Sequence, residues 1–334
     1  MPMVSIGDLA RGLMLQRHLT TAKADLTRLS ETLASGRHPD AAAVLRGNLG
    51  PLAAVEGALS RIDAWQAAAA GLAARMEAQQ TALGALHGIA ESQAQGLLRL
   101  GLAQDQGALA LAASDARQHL DAATDLLNTR FADETVFAGT RFDGAAVSGG
   151  EALLDALWPL VAGATTAQEA AIRVRDWFDD PAGFSSYGYR GGEARPAVPV
   201  GPASGAALGV TADDPAIRGT LAGLAMAALI DRGLFAGNPA MQRDMAVRAG
   251  EELVGNAAER VYLRGEIGLA EQRLSEVRTR NAAEQSALGI ARNAMVAADP
   301  FATATELEAA RLHLETLHAL TARLSGLSLL GALR

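Results

Sequence analysis

Six histidines are the first residues to test for chemistry: His18, His38, His87, His119, His313 and His318. A helical zinc pair needs two histidines four apart on one face. His313 and His318 are five apart, so the spacing points to solvated or interface histidines and to no metal site. The chain has no cysteine, which removes a disulfide framework, a thiolate zinc site, an iron–sulfur cluster and a cysteine nucleophile. Lys23, the only lysine, lies outside any Gly-Lys-Ser/Thr phosphate loop, and Gly201-Pro-Ala-Ser-Gly205 does not match Gly-x-Ser-x-Gly. Asp176, Asp179, Asp180, Asp213 and Asp214 could pair as acid and base. Such residues more often cap helices and solvate loops, and that is the reading adopted. Tyr187-Gly-Tyr189-Arg190 could touch a carbohydrate or a protein, but a small β core or turn is the plainer reading. No catalytic residue and no cofactor is expected; the chain reads as a non-enzyme.

Composition says what must do the work instead. The 334 residues are 49% hydrophobic and only 4% aromatic. That is too apolar for a disordered chain. Much of the apolar content is alanine, which favours long, closely packed helices over a bulky core. A net charge of −8 disfavours a nucleic-acid partner or an anionic membrane surface. The longest apolar runs, Ala64–Ala74 and Leu221–Ile230, fall short of the ~18 residues a spanning helix needs. They are expected to be tightly packed helix faces. The N-terminus lacks a basic stretch followed by an apolar one, so no cleaved signal peptide is expected.

Leucine spacing supplies the elements. Leu15, Leu19, Ala22, Leu26, Leu29 and Leu33 alternate at four and three, the seam of a coiled coil. Gly36-Arg-His-Pro-Asp40 stops this first helix. A second helical stretch runs from about 41 to 130, with a bend or junction near Gly96–Gly107. Its seam includes Leu52, Ile62, Met76, Leu83, Ala90 and Leu97. Phe131–Val147 breaks the period, and Asp143-Gly144 suggests a β-hairpin near 133–147. Residues 150–237 hold most of the remaining aromatics and read as an inserted α+β domain. Helices are expected there near 152–160, 167–178 and 215–232, with strands within 184–211. One long helix should follow over 239–298, with Asn256, Arg260, Asn281 and Glu284 on its seam. After Asp299-Pro300 a last seam reads Leu307, Ala310, Leu314, Leu317, Leu324 and Leu327.

The layout is a palindrome. An amphipathic helix of about 30 residues cannot hide its leucine face alone. The first helix is therefore expected to pair with the last, giving a fold-back rod that is mainly α with a small α+β insertion. The expected division is 1–38 plus 300–334 as a terminal coiled-coil assembly domain, 39–149 plus 238–299 as a helical rod domain, and 150–237 as an outer domain.

Several stretches resemble the flagellin family, and within it the proteins of the hook–filament junction. Val4-Ser-Ile through Leu26-Thr-Arg-Leu-Ser-Glu-Thr-Leu-Ala-Ser-Gly36-Arg37 is similar to the family's N-terminal helix and its stop. Leu127-Asn128-Thr-Arg130-Phe131 with Val136-Phe137-Ala-Gly139-Thr140 resembles a signature of junction proteins. Ile267–Leu330, with Arg273-Leu274, Ala298-Asp-Pro300 and Ala304-Thr-Glu-Leu307, is similar to the closing helices. His38-Pro-Asp-Ala-Ala replaces the family's usual Asn-rich stretch, and Arg311 its usual Gln.

The resemblance implies a secreted structural subunit of the bacterial flagellum, exported unfolded by the flagellar type III route. It implies assembly through Leu15, Leu19, Leu26, Leu29, Leu33, Leu307, Leu314, Leu317, Leu324, Leu327 and Leu330. The implied partners are copies of the chain, the hook-side junction protein, filament flagellin and an export chaperone. A divergent filament flagellin, and a helical adhesin binding through its middle domain, are the alternatives.

Overall fold

The computed structural model describes residues 6–102, 105–207 and 209–332, with side chains described for these except at 6–9, 11, 101–102 and 324–332. Among them the chain is mainly α. In order come α1 (Ile6–Ser35), α2 (Ala41–Val44), α3 (Gly50–Leu102), α4 (Gln106–Leu127), β1 (Arg130–Phe131), β2 (Glu134–Thr135), α5 (Gly150–Val161), α6 (Ala167–Asp179) and α7 (Phe184–Tyr187). Then follow β3 (Val198–Gly201), β4 (Ser204–Ala206), α8 (Pro215–Asp231), α9 (Pro239–Gly255), α10 (Ala257–Val296) and α11 (Pro300–Ala332). Contacts divide the chain into two units, 1–62 with 282–334, and Asp63–Asn281. The expected boundaries at 38 and 300 are turns inside the first unit. Residues 150–237 lie inside the second unit, where α5, α6 and α8 pack against α4 and α9.

In the first unit α1 packs along α11. Gly36 takes φ +68° and turns the chain, Arg37 pairs antiparallel with Ala297, and α11 begins three residues later. The two helices therefore run antiparallel from this junction. The buried or half-buried positions include Leu15, Leu19, Ala22, Leu26 and Leu29 on α1, and Thr303, Leu307, Ala310, Leu314 and Leu317 on α11. These are the four-and-three spacings of a coiled-coil seam. Leu33 departs from the expected seam: it is 38% exposed, while Thr32 beside it is 1% exposed. At this end α1 meets the junction at 296–298, where Val296 and Ala298 are buried, so it is Thr32 that becomes covered. Its hydroxyl donates to the Arg28 carbonyl, so no polar group is stranded.

The second unit is built around α8. Thirteen of its seventeen residues are buried, on every side of the helix. A helix apolar all round is one that must be enclosed, and α4, α5, α6 and α9 enclose it. The run Leu221–Ile230 is thus more than one packed face. Asp214 caps its first turn through the Ala216 amide, with Pro215 at the first helical position. Gly219 and Gly223 bring α9 close. A Cβ at 223 would lie 2.6 Å from Leu253 Cγ, and one at 219 would lie 2.9 Å from Asn256 Cγ.

Two expectations need correction. The helix expected over 239–298 is two helices that break at Asn256. Asn256 Nδ2 donates to the Ala216 carbonyl and to Thr220 Oγ1, 3.1 Å away, which draws the side chain toward α8. Arg260, 5% exposed, then donates to the Leu253 carbonyl at 3.0 Å and so caps the end of α9. Burial holds its guanidinium pKa below the ordinary value. The hairpin expected at 133–147 lies earlier, at 130–135. Its tip is Ala132-Asp133, both with positive φ, as a two-residue turn of this type requires. Asp143-Gly144 sits in a turn without flanking strands.

Candidate assembly surface and signature loop

The terminal helix pair has two apolar faces, of which only one is covered. On α11, Phe301 is 84% exposed and Leu312 is 59% exposed. Eleven residues apart, they lie within about 20° of each other and roughly opposite the seam. Leu320 and, on α1, Leu13 and Met14 are exposed as well. Leu15, Leu19, Leu26, Leu307 and Leu314 are half-buried, whereas Leu29 and Leu317 are buried. The seam leucines thus occupy the space between α1 and α11, and the exposed set is what remains for a neighbour. The side chains of Leu324, Leu327 and Leu330 lie outside the described residues. Phe301, Leu312 and Leu13 were readable from the sequence as apolar residues about half a turn from the seams, with Leu320 and Met14 about a quarter turn away.

The first unit is also poor in core. Its buried apolar residues among those described are Ala22, Leu29, Leu52, Ile62, Val296, Ala298 and Leu317. The charges are uneven in the same sense: this unit holds 11 basic and 10 acidic residues, the second 18 basic and 27 acidic. Both units carry exposed apolar side chains, Leu111 and Tyr262 of the second among them, but only the first combines them with near-neutral charge, which opposes self-association less than an acidic surface does.

The signature residues come together in one loop of the second unit. Asn128 ends α4; its Oδ1 accepts from the amides of Ala146 at 2.7 Å and Val147 at 3.0 Å, and its Nδ2 donates to the Val147 carbonyl at 3.1 Å. Arg130 donates to the carbonyls of Asp143 and Asp133, closing the hairpin. Phe131 is half-buried against the core and Phe137 is fully buried. Gly139 takes φ +56°, and a Cβ there would overlap the carbonyl oxygens of Gly192 and Glu193. Each of the five has a role in shaping the loop, and none faces a cavity with chemistry in it.

Glu134 ties this loop to α3 and to the 190s segment. It accepts from Arg195 Nη1 at 2.7 Å and Arg75 Nη2 at 2.9 Å, and Arg195 also donates to the Gly139 carbonyl. Above all the Arg195 hydrogen bond, and then Arg75, hold the Glu134 pKa below the ordinary carboxylate value. Asp214 is shifted the other way. Burial raises its pKa, Glu266 adds to the shift, and the Ala216 amide only partly offsets it. The contribution of Glu134 to stability is therefore present above its unfolded pKa and lost as pH falls through its folded one. Ionising Asp214 works against the fold as pH rises through its folded pKa. Glu134→Gln should lower stability near pH 7 by on the order of 1–3 kcal/mol. Asp214→Asn, which keeps the cap, should raise it. In thermal melts the Glu134 difference should shrink as pH falls through its lowered folded pKa, and the Asp214 difference should vanish once pH is below the ordinary carboxylate value.

Several of the remaining candidates for chemistry have structural partners. Ser185 donates to Asp213 at 2.7 Å, Asp180 accepts from the Ala182 amide, and the Tyr189 hydroxyl donates to the Gly192 carbonyl at 2.6 Å. Tyr187 ends the short helix α7, and Val147 bridges to Tyr189. His119 lies 2.9 Å from Gln93 Oε1, and His87 lies 3.5 Å from Arg260 Nε. A cleft of α6 and α9 is lined by Gln168, Ile172, Arg175, Arg248 and Glu252, with Arg175 and Glu252 paired to each other. Among the described residues no three His, Cys, Asp or Glu side chains gather as a metal site, and no helix is long and apolar enough to cross a membrane.

No family model matches the chain, and no curated protein matches it. A solved structure does. It comes from Vibrio parahaemolyticus, is described as a "putative flagellar hook-associated protein", and superposes with a TM-score of 0.50 at 15% identity. The match covers 72% of this chain and 94% of that one. The chain shares that protein's fold. The likeness is one of backbone architecture, reached with few shared side chains.

Proposed function

We propose that this chain is a structural subunit of the bacterial flagellum, of the hook-associated class, standing where hook meets filament. The observation that carries the reading is the terminal helix pair, whose seam is filled while Phe301, Leu312, Leu320, Leu13 and Met14 remain in solvent. Burying a side chain of this size contributes about 1.5–3 kcal/mol, so a few per subunit suffice to hold a ring of copies together. The fold shared with the Vibrio protein supports the class. The signature at Asn128, Arg130, Phe131, Phe137 and Gly139 supports the junction in particular.

On this reading the chain is not an enzyme. Its partners are copies of itself, the hook-side junction protein, filament flagellin and an export chaperone, and it leaves the cell by the flagellar type III route. Immunogold labelling of isolated flagella tests the placement. A single narrow band between hook and filament is expected. Label along the whole filament would assign the chain to the filament instead, and unlabelled flagella would refute a flagellar role.

A further inference from the structure

The seam between α1 and α11 does not by itself fix how far along each other the two helices sit. Counting outward from the Arg37–Ala297 bridge, at equal rise per residue, brings Leu29 to the level of Thr305, and the nearest register that matches both seams pairs it with Leu307. Leu26 then falls level with Ala310, Ala22 with Leu314, and Leu19 with Leu317. Sliding α1 by seven residues makes the layers Leu33 with Ala310, Leu29 with Leu314, and Leu26 with Leu317. These are as apolar as the first set, and they would enclose Leu33, which is 38% exposed in the present arrangement. A heptad pattern is indifferent to such a slip, and polar residues are the usual means of specifying register.

The chain has slack for the movement on one side only. Three residues, Ala297–Asp299, join α10 to α11, whereas residues 36–49 join α1 to α3 with one short helix between. What opposes the slip is the junction. Arg37 Nη2 donates to Asn293 Oδ1 at 2.7 Å, the His38 amide donates to the Val296 carbonyl at 2.9 Å, and the Ala298 amide donates to the Gly36 carbonyl at 3.1 Å. Beside it lie two polar seam residues, Thr32 and Thr303, at 1% and 4% exposure. Each donates its hydroxyl to its own helix, to the Arg28 and Asp299 carbonyls.

We propose that this junction, centred on Gly36, Arg37 and Asn293, is a register lock, and that without it α1 can slide one heptad along α11. The inference concerns the helix pair alone and holds whether or not the flagellar reading does. A slip moves α1 by about 10 Å, which would shift Leu13 and Met14 against Phe301 and Leu312 and so change the outer apolar face.

Because the chain has no cysteine, spin labels can be placed cleanly at Ser30→Cys and Ala319→Cys, both exposed. In the otherwise unaltered full chain, pulsed dipolar spectroscopy should give one narrow distance. The double variant Arg37→Ala/Asn293→Ala should add a second distance shorter by up to about 10 Å. Gly36→Ala should do the same, since its Cβ meets nothing within 4 Å and only the φ of +68° opposes it. One unchanged distance in both variants would overturn the proposal. So would two distances before any lock residue is altered, or loss of any defined distance in the variants, which would mean that the junction holds the helices together and does not set their register.

Discussion

Gly139→Ala is expected to lower the thermal midpoint of the second unit by roughly 10 °C. Two costs add at this position. An alanine in the left-handed region costs about 1–2 kcal/mol, and Gly139 sits at φ +56°. Its Cβ would also overlap two backbone carbonyl oxygens and lie 3.0 Å from the Glu193 carbonyl carbon. Backbone cannot swing aside as a side chain can. Relief must break the bonds from the Thr140 amide to Glu193 and from the Gly192 amide to Ala138, and the Arg195 bond to residue 139. Each is worth about 1 kcal/mol, so with the strain the total reaches about 4–5 kcal/mol. Gly144→Ala in the same loop, where a Cβ meets nothing within 4 Å and φ is not positive, should shift the midpoint by less than about 2 °C. Scanning calorimetry of both variants decides the matter, and equal shifts would show that the loop is soft.

The second large effect is expected in assembly and not in folding. Phe301→Asp with Leu312→Asp should leave the melting curve of the free chain within about 0.5 kcal/mol of the parent, because both side chains are mostly in solvent. An acidic residue at 301 even suits the first turn of α11, where Asp299 already accepts from the residue 301 amide at 2.8 Å. If copies meet through this face, each substitution removes about 1.5–3 kcal/mol of apolar burial and places a charge in the contact. The concentration needed for self-association, measured by light scattering or sedimentation, should then rise at least about 100-fold. Unchanged association would place the contact elsewhere. Ile172→Asp, on α6 in the second unit and 43% exposed, serves as the control and should leave association unchanged.

The long helices were legible because a heptad seam is a local signal repeated many times. Leu52, Ile62, Ala69, Met76, Leu83, Ala90 and Leu97 are all buried where the spacing puts them. So are Arg260 and Asn281, polar residues that the pattern alone assigned to the seam, the latter donating to the Val200 carbonyl at 2.8 Å. Glu284 is exposed, and its neighbour Gln285 is half-buried in its stead. The break at Asn256 could not be read, because its cause is a hydrogen bond to α8, about forty residues earlier in the chain. The hairpin was misplaced because Asp143-Gly144 is the stronger turn signal, whereas Ala132-Asp133 takes positive φ only because Arg130 and Glu134 are tied down around it. The signature residues could be named in advance, but not that all five serve the shape of one loop. Phe301 and Leu312 carried no motif; their place half a turn from the seam was readable, and the exposure of the folded helix gives it weight.

The enclosure of α8 has a consequence for the order in which the protein can form. Its thirteen buried residues are covered on one side by α4 and on another by α9, segments that end at Leu127 and Gly255. A chain emerging from its N-terminus through any narrow passage would carry α8 into solvent before α9 had arrived to cover it. Contacts of such long separation form late and leave apolar surface bare in the meantime. The second unit can therefore reach its final packing only after about residue 255 is free. Until then the stretch 215–231 is the part of the molecule most in need of shelter.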